Sequence, residues 1–391
     1  MFSSRISGDL APNRLSEVLH ERRAAGQPVI DLTESNPTRV GLDYPKDLLA
    51  PLADCRGLAY APQPFGILAA RRAVAGDYQR RGIAIAPERV ALTASTSEAY
   101  SLLFKLLAAP GDDILVPRPS YPLFEHLTAL DGVVARPYDL EYNGVWSIDF
   151  PSVERALGPR TRAILIVNPN NPTGSFSSQD ELDRLAACCA RLDLALIADE
   201  VFADYELEPG AAGGVAPVLS REDVLVFALG GLSKSIGLPQ VKLGWIAVSG
   251  PERVVHEALQ RLEVICDTYL SVSTPVQLAA ADLFDRGSAI RAQITARITA
   301  NYRQLKAQAA DLPWCRVLNA AGGWSAIIQV PTLRSEEDLV IDLVSQAGVV
   351  AHPGYFFDFP RESFLILSLL PQEQSFADGV GRLLAQVVGA A

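Results

Sequence analysis

Histidine is scarce in this chain, with four residues in 391, and the five cysteines at 55, 188, 189, 266 and 315 are odd in number and irregularly spaced. No Cys/His spacing suits a zinc site. Cys188 and Cys189 are adjacent within the helical pattern "LDRLAACCARLDL", which argues against a bridge between them. The thiols read as buried or inert groups in a reducing compartment. Long apolar runs are also missing: "AILIV" and "VLVFAL" are far too short to cross a bilayer. The opening stretch, "MFSSRISGDLAPNRLSEVLHERRAAGQ", lacks the basic-then-apolar order of a secretory signal. Positive charge is in deficit, 34 Lys and Arg against 45 Asp and Glu, for a net charge of −11. That balance argues against nucleic acid or an anionic membrane as the main partner. No internal repeat or low-complexity tract is visible. These absences leave a cytoplasmic enzyme as the expected class.

What the chain does contain is a series of short apolar runs separated by helical patterns. At 391 residues it exceeds the usual size of one hydrophobic core, so two domains are the default. The runs are "RVALT" (89–93), "DILVP" (113–117), "VVARPY" (133–138), "RAILIV" (162–167), "LALIA" (194–198), "VLVFAL" (224–229) and "LGWIAV" (243–248). Lacking polar alternation, they fit strands buried on both faces, as in a mostly parallel sheet. Amphipathic helices are predicted between them at 95–108 and 177–192, the second capped by Ser177 or Ser178. From about residue 250 the pattern is more helical, and strand-like runs return at "WSAIIQV" (324–330) and "SFLILSLL" (363–370). The expectation is an α/β protein: a mostly parallel sheet with flanking helices over 41–285, and a smaller α+β domain from 286–391 with 1–40.

In α/β sheets ligands sit beyond the carboxyl ends of the strands. The residues just after the apolar runs are "TASTSEA", "RPSYP", "NPNNPTG", "DE" and "GGLSKS". Lys234, reached through what reads as a tight Gly-Gly turn, is an amine at a strand end. Partly desolvated, it can attack a carbonyl to form a Schiff base; the alternative is a surface lysine in a loop. Asp199 faces the same crevice and can pair with a protonated ring nitrogen, or serve as an N-cap or structural ion pair. Asn171, between prolines, can aim its amide at a phenolic oxygen, or simply form a turn before the helix at 177. A cis bond at 171–172 is compatible with this sequence. Ser95, Thr96 and Ser97 open a helix and so offer a phosphate seat. Tyr121 can lay its ring on a planar cofactor or fill the core.

Together these turns resemble the class I/II aminotransferases, the pyridoxal-phosphate (PLP) family of fold type I. The matching pieces, in family order, are "YAPQPFGILAARRAV", "TASTSEA", "PGDDILVPRPSYPLF", "NPNNPTG", "IADEVFADY" and "GLSKSIGLPQVKLGW". The resemblance implies PLP as cofactor, held by Lys234 as a Schiff base, with the same amine shuttling a proton. It implies Asp199 on the pyridinium nitrogen, Asn171 on the phenolic oxygen and Tyr121 stacked on the ring. Ser95, Thr96, Ser233 and Lys242 would hold phosphate, with Tyr60 reaching over from the partner of a homodimer.

The chain departs from the family pattern in four places. Phe202 stands where a Tyr usually donates to the phenolic oxygen; Tyr205 is a candidate substitute. Lys242 stands for an Arg that forks onto phosphate, and Gly231 for a phosphate-binding Ser. Ile366 in "SFLILSLL" stands for the Arg that grips the substrate carboxylate. Arg39, ranked first, and Arg361 are the replacement cations, or else solvated surface residues. Trp324, with Tyr355, Phe356 and Phe357, can wall an apolar substrate pocket or pack in the core. The expected activity is amino transfer between a small-molecule amino donor and a keto acceptor. A PLP-dependent lyase, such as a C–S lyase, or a decarboxylase is the alternative. A non-catalytic sensor on the same fold is a distant third, because no DNA-binding extension precedes residue 30.

Overall fold

A computed structural model of the chain describes residues 3, 5–6, 11–208, 210, 213, 216–331, 333–361 and 363–389; parts of the opening stretch read above for a leader fall outside it. Its strands are β1 (Ile30–Asp31), β2 (Val90–Thr93), β3 (Asp113–Arg118), β4 (Val134–Tyr142), β5 (Trp146–Ile148), β6 (Thr161–Val167) and β7 (Ala195–Asp199). They continue with β8 (Val226–Gly231), β9 (Gly244–Ser249), β10 (Arg316–Val317), β11 (Ser325–Gln329), β12 (Val349–Val350), β13 (His352–Pro353) and β14 (Phe364–Ser368). Each of the seven apolar runs forms a strand of one eight-stranded sheet, in the order β2-β9-β8-β7-β6-β3-β4-β5. The central strands β4, β3, β6, β7 and β8 pair in parallel, while β9 runs antiparallel to both β8 and β2, and β5 antiparallel to β4.

The missing polar alternation has a direct cause in β7. Leu196 and Ala198 enter the core on one face of the sheet, and Ala195 and Ile197 the core on the other. Neither face meets water, so neither set of alternate positions tolerates a polar side chain. The helix Gln179–Leu192 covers part of this sheet and starts with a capping box, Ser178 bonding Glu181 in both directions.

The Gly-Gly pair differs from its sequence reading. Gly230 and Gly231 are the last two residues of β8, not a turn. A Cβ on Gly230 would lie 2.6 Å from the indole of Trp245, so glycine is required by a close side-chain approach rather than by a bend.

The second sheet has the order β10-β11-β14-β13, and β1 pairs in parallel with β12, which ties the N-terminal segment to the C-terminal part. The proposed boundary at 285/286 falls inside one unbroken helix, Thr274–Ala309, that belongs to both regions. The segment before β11 is stitched to the large sheet's end. The backbone N–H groups of Ala321 and Gly322 donate to Gly174 O at 2.9 Å each, and Gly323 N donates to Tyr205 O at 2.8 Å. Gly174, which closes "NPTG", has φ +67, and a Cβ there would come within 2.5 Å of Gly322 O. The left-handed backbone and the close contact both demand glycine.

Candidate active site

The expected convergence of strand ends is present. Lys234 lies in a single helical turn, Leu232–Ser235, directly after β8. Asp199 ends β7, the parallel neighbour of β8, where it pairs with Leu229 in register. The turn carrying the lysine is held from beneath by side chains of three distant segments. Tyr205 Oη donates to the carbonyls of Lys234 (2.6 Å) and Ser235 (3.1 Å), Arg291 Nε to Ser235 O (2.9 Å), and Tyr44 Oη to Gly237 O (2.7 Å). Tyr205 therefore cannot replace the hydroxyl absent at Phe202: it is fully buried and its proton is committed behind the lysine.

The lysine amine itself has no hydrogen bond or ion pair among the described residues. Its neighbours are aromatic, with Nζ 5.2 Å from the Trp324 ring centroid and 5.7 Å from that of Phe202. Burial lowers its proton affinity, and the charge of Asp199 partly opposes this. Asp199 is 8 % exposed. One of its carboxylate oxygens accepts from Tyr100 Oη at 2.6 Å and the other from Val201 N at 3.0 Å. Burial raises its pKa, against the lowering effect of those two bonds. Tyr100 escaped the sequence reading. Its signal was present, since it lies four residues after Thr96 in the helix Thr96–Leu107 and so faces the sheet one turn below the helix start.

The remaining candidates fall around this pair. Asn171 has its amide oxygen fixed by Ser325 Oγ at 3.0 Å, which orients its amino group. The 171–172 bond is cis, as are 118–119 and 168–169. Tyr121 is half-exposed at the end of β3, and its pKa is raised by burial and by the charge of Asp199, which puts the phenol within that carboxylate's field. Ser95 caps its helix by accepting from Glu98 N at 3.1 Å, and its own hydroxyl proton stays free to donate. Thr96 Cγ2 would stand 4.0 Å from a Cβ on Gly231, and a Cβ on Gly244 would stand 3.1 Å from the Ser95 backbone. The helix start, the end of β8 and the start of β9 thus enclose one narrow space. Ser233 adjoins it. Lys242 is exposed and takes a left-handed backbone two residues before β9.

Four residues singled out in the sequence make no hydrogen bond, ion pair or ring contact with the lysine amine. Tyr60 is 79 % exposed and lines a surface cleft with Tyr269, Leu270 and Ser271. Arg39 is exposed with no ion pair to a described residue, in a segment anchored when Ser368 Oγ donates to Glu34 O at 2.7 Å. Arg361 is exposed and lies over the Phe364 ring, 5.7 Å from its centroid. Ile366, 2 % exposed, is packed in an apolar cluster with Ile327, Phe357 and Phe364. Trp324 is 3 % exposed and belongs to the lysine's surroundings rather than to a solvent-open wall.

The arrangement suits pyridoxal phosphate on its own chemistry. An uncommitted, desolvated amine awaits an electrophile. A buried carboxylate without an ion-pair partner among the described residues would be stabilised by a cation such as a pyridinium. A helix N-terminus with glycines opposite offers room and backbone N–H groups to a phosphate.

Comparison with known proteins agrees. S-alkyl-thiohydroximate lyase SUR1 of Arabidopsis thaliana is 35% identical over 243 residues, 58% of this chain and 50% of that protein, so the chain spans half of that relative's length. Glutamate-pyruvate aminotransferase AlaA of Escherichia coli (strain K12) is 26% identical over 357 residues, 89% of this chain and 87% of that protein. The solved structure of alanine aminotransferase from Pyrococcus furiosus superposes with a TM-score of 0.89 over 100% of both chains at 23% identity. This bears out fold type I, with its large mixed sheet and smaller second sheet. A family model described as aminotransferase class I and II matches residues 25–375, a span that takes in every strand end described above, and the chain belongs to that family.

Proposed function

We propose that the chain is a pyridoxal-phosphate-dependent aminotransferase that moves an amino group between an amino-acid or amine donor and a keto acceptor. The observation that carries this reading is the Lys234 amine, withdrawn from water, free of hydrogen bonds to described residues, and one strand away from Asp199. When bound, the cofactor supplies an aldehyde carbon and a ring that accepts the electron pair released at the substrate Cα. Lys234 supplies the capturing amine. Its lowered proton affinity leaves more of it neutral and nucleophilic near pH 7, and fits it to take and return the Cα proton. Asp199 would hold the ring nitrogen in its charged form, with Tyr100 and Val201 N–H keeping the carboxylate aimed. Asn171 would offer its amino group to the phenolic oxygen, and Tyr121 its ring to the cofactor's face. Ser95, Thr96, Ser233 and Lys242 would hold the phosphate, joined by Tyr60 of a second copy in a homodimer. No helix among the described residues is long and apolar enough to cross a membrane, and a cytoplasmic enzyme fits that.

On the substrate side, Ile366 in its apolar cluster cannot read a carboxylate. Arg39 is the better replacement: it has no competing ion-pair partner among the described residues, and its segment is bonded to the end of β14, two residues from Ile366. Arg361 instead lies over the Phe364 ring. A lyase on the same scaffold is the second reading, favoured by the similarity to SUR1 and by Ile366.

Three outcomes are expected. With an amino-acid donor, purified protein releases keto product in proportion to added keto acceptor; steady turnover without acceptor would establish the lyase instead. Arg39→Met raises KM for amino-acid donors by about ten-fold or more, the usual cost of a lost charge-assisted hydrogen bond, while Arg361→Met leaves it unchanged. An unaltered KM in Arg39→Met rejects that assignment. Tyr100→Phe removes a bond that lowers the Asp199 pKa, so that pKa rises further. Because the ionised carboxylate is the working form, the acid limb of the kcat/KM profile should move to higher pH by about one unit. A profile superposing on wild type would show that Tyr100 does not support Asp199.

A further inference from the structure

The lysine amine is held in place by something other than hydrogen bonds. We propose that Trp324 is a positioning residue for Lys234, its indole face seating the side-chain amine beside the Phe202 ring. This deepens the reading of Lys234 as the reactive amine and rests on it.

The indole is fixed by packing on two sides and by its backbone. Its ring makes edge-on contacts with Phe202, at 5.3 Å and 65°, and with Tyr205, at 5.2 Å and 63°. Trp324 O accepts from Leu369 N at 2.7 Å, Gly323 before it is bonded to Tyr205 O, and Ser325 after it is bonded to Asn171. The first bond extends the β11–β14 pairing within the small sheet, and the other two connect that sheet to the end of the large one. Turning the ring away from the amine would break its packing on Phe202 and Tyr205.

Ring faces hold an ammonium through their quadrupole, with the strongest attraction from tryptophan. They make no hydrogen bond to it. An oxygen acceptor at the same place would favour the protonated amine and engage the N–H groups needed for chemistry. An aromatic seat gives position while leaving the nitrogen free, and a phenylalanine at 202 is consistent with such a seat. The other titratable groups facing this turn are already engaged. Asp204 pairs with Arg80 and Arg291, which also pairs with Asp77, and Glu200 pairs with Arg81. Tyr205 and Tyr44 donate to the turn's carbonyls, and Tyr100 donates to Asp199. Tyr121 lies in the field of Asp199, the carboxylate that remains without an ion-pair partner among the described residues. The balance on the amine is then burial against Asp199 and the two rings.

The test is competitive labelling of the full chain, freed of cofactor, with trace acetic anhydride across pH, reading acetylation at position 234 by peptide mapping. Trp324→Leu keeps the site apolar but removes the quadrupole, so the labelling midpoint should fall by about half to one pH unit. Trp324→Phe should restore most of the shift. Should Trp324→Leu fail to fold by circular dichroism, Phe202→Leu takes its place with the same expected direction. A depressed midpoint in wild type that none of these changes moves overturns the role of Trp324 and leaves Lys234 as the reactive amine. A wild-type midpoint equal to that of the chain's exposed lysines overturns both.

Discussion

An amine and a carboxylate, kept from water at the ends of neighbouring parallel strands, set the terms for this structure. Lys234 follows β8 and Asp199 ends β7, so their separation is fixed by sheet register rather than by a flexible loop. At β7 and β8 the sheet is buried on both faces, which makes their carboxyl ends a place of weak solvation. Burial there weakens proton binding by the lysine and strengthens it on the aspartate. Each group pushes the other back towards its charged form. A site left poised in this way is receptive to an electrophile that takes the amine and a cation that satisfies the carboxylate.

The surrounding structure serves that pair. Side chains from residues 205 and 291 satisfy carbonyls of the lysine turn, and that of residue 44 the carbonyl of Gly237 just after it, so the short turn is held by distant segments. Gly174 admits the backbone of the small sheet against the large one, and this brings Trp324 over the lysine. The segment that carries Arg39 is tied to the C-terminal part through the pairing of β1 with β12 and the bond from Ser368 to Glu34. In the proposed site the substrate side would thus be assembled from chain segments more than three hundred residues apart, and the cofactor side from successive strand ends.

That difference explains what the sequence disclosed. Strands such as β7, β8 and β9 were legible because burial on both faces forbids polar residues, as Leu196, Ile197 and Ala198 show. Lys234, Asp199 and Asn171 were legible because strand ends are marked by turn residues. Gly230–Gly231 was misjudged as a turn, since nothing local reveals that Trp245 on the next strand needs the space. Tyr205 was misjudged as a spare donor, and Tyr100 was overlooked, because a phenol's partner is chosen by tertiary packing. The sequence leaves Trp324 open between pocket wall and core for the same reason: its neighbours Phe202 and Tyr205 lie more than a hundred residues away.

The most direct test is a chemical one at a single nitrogen. Purified protein loaded with pyridoxal phosphate, reduced with borohydride and digested, should carry the phosphopyridoxyl group on the peptide containing Lys234 and lose that mark in Lys234→Ala. A label distributed over other lysines, or none at all, would contradict the account.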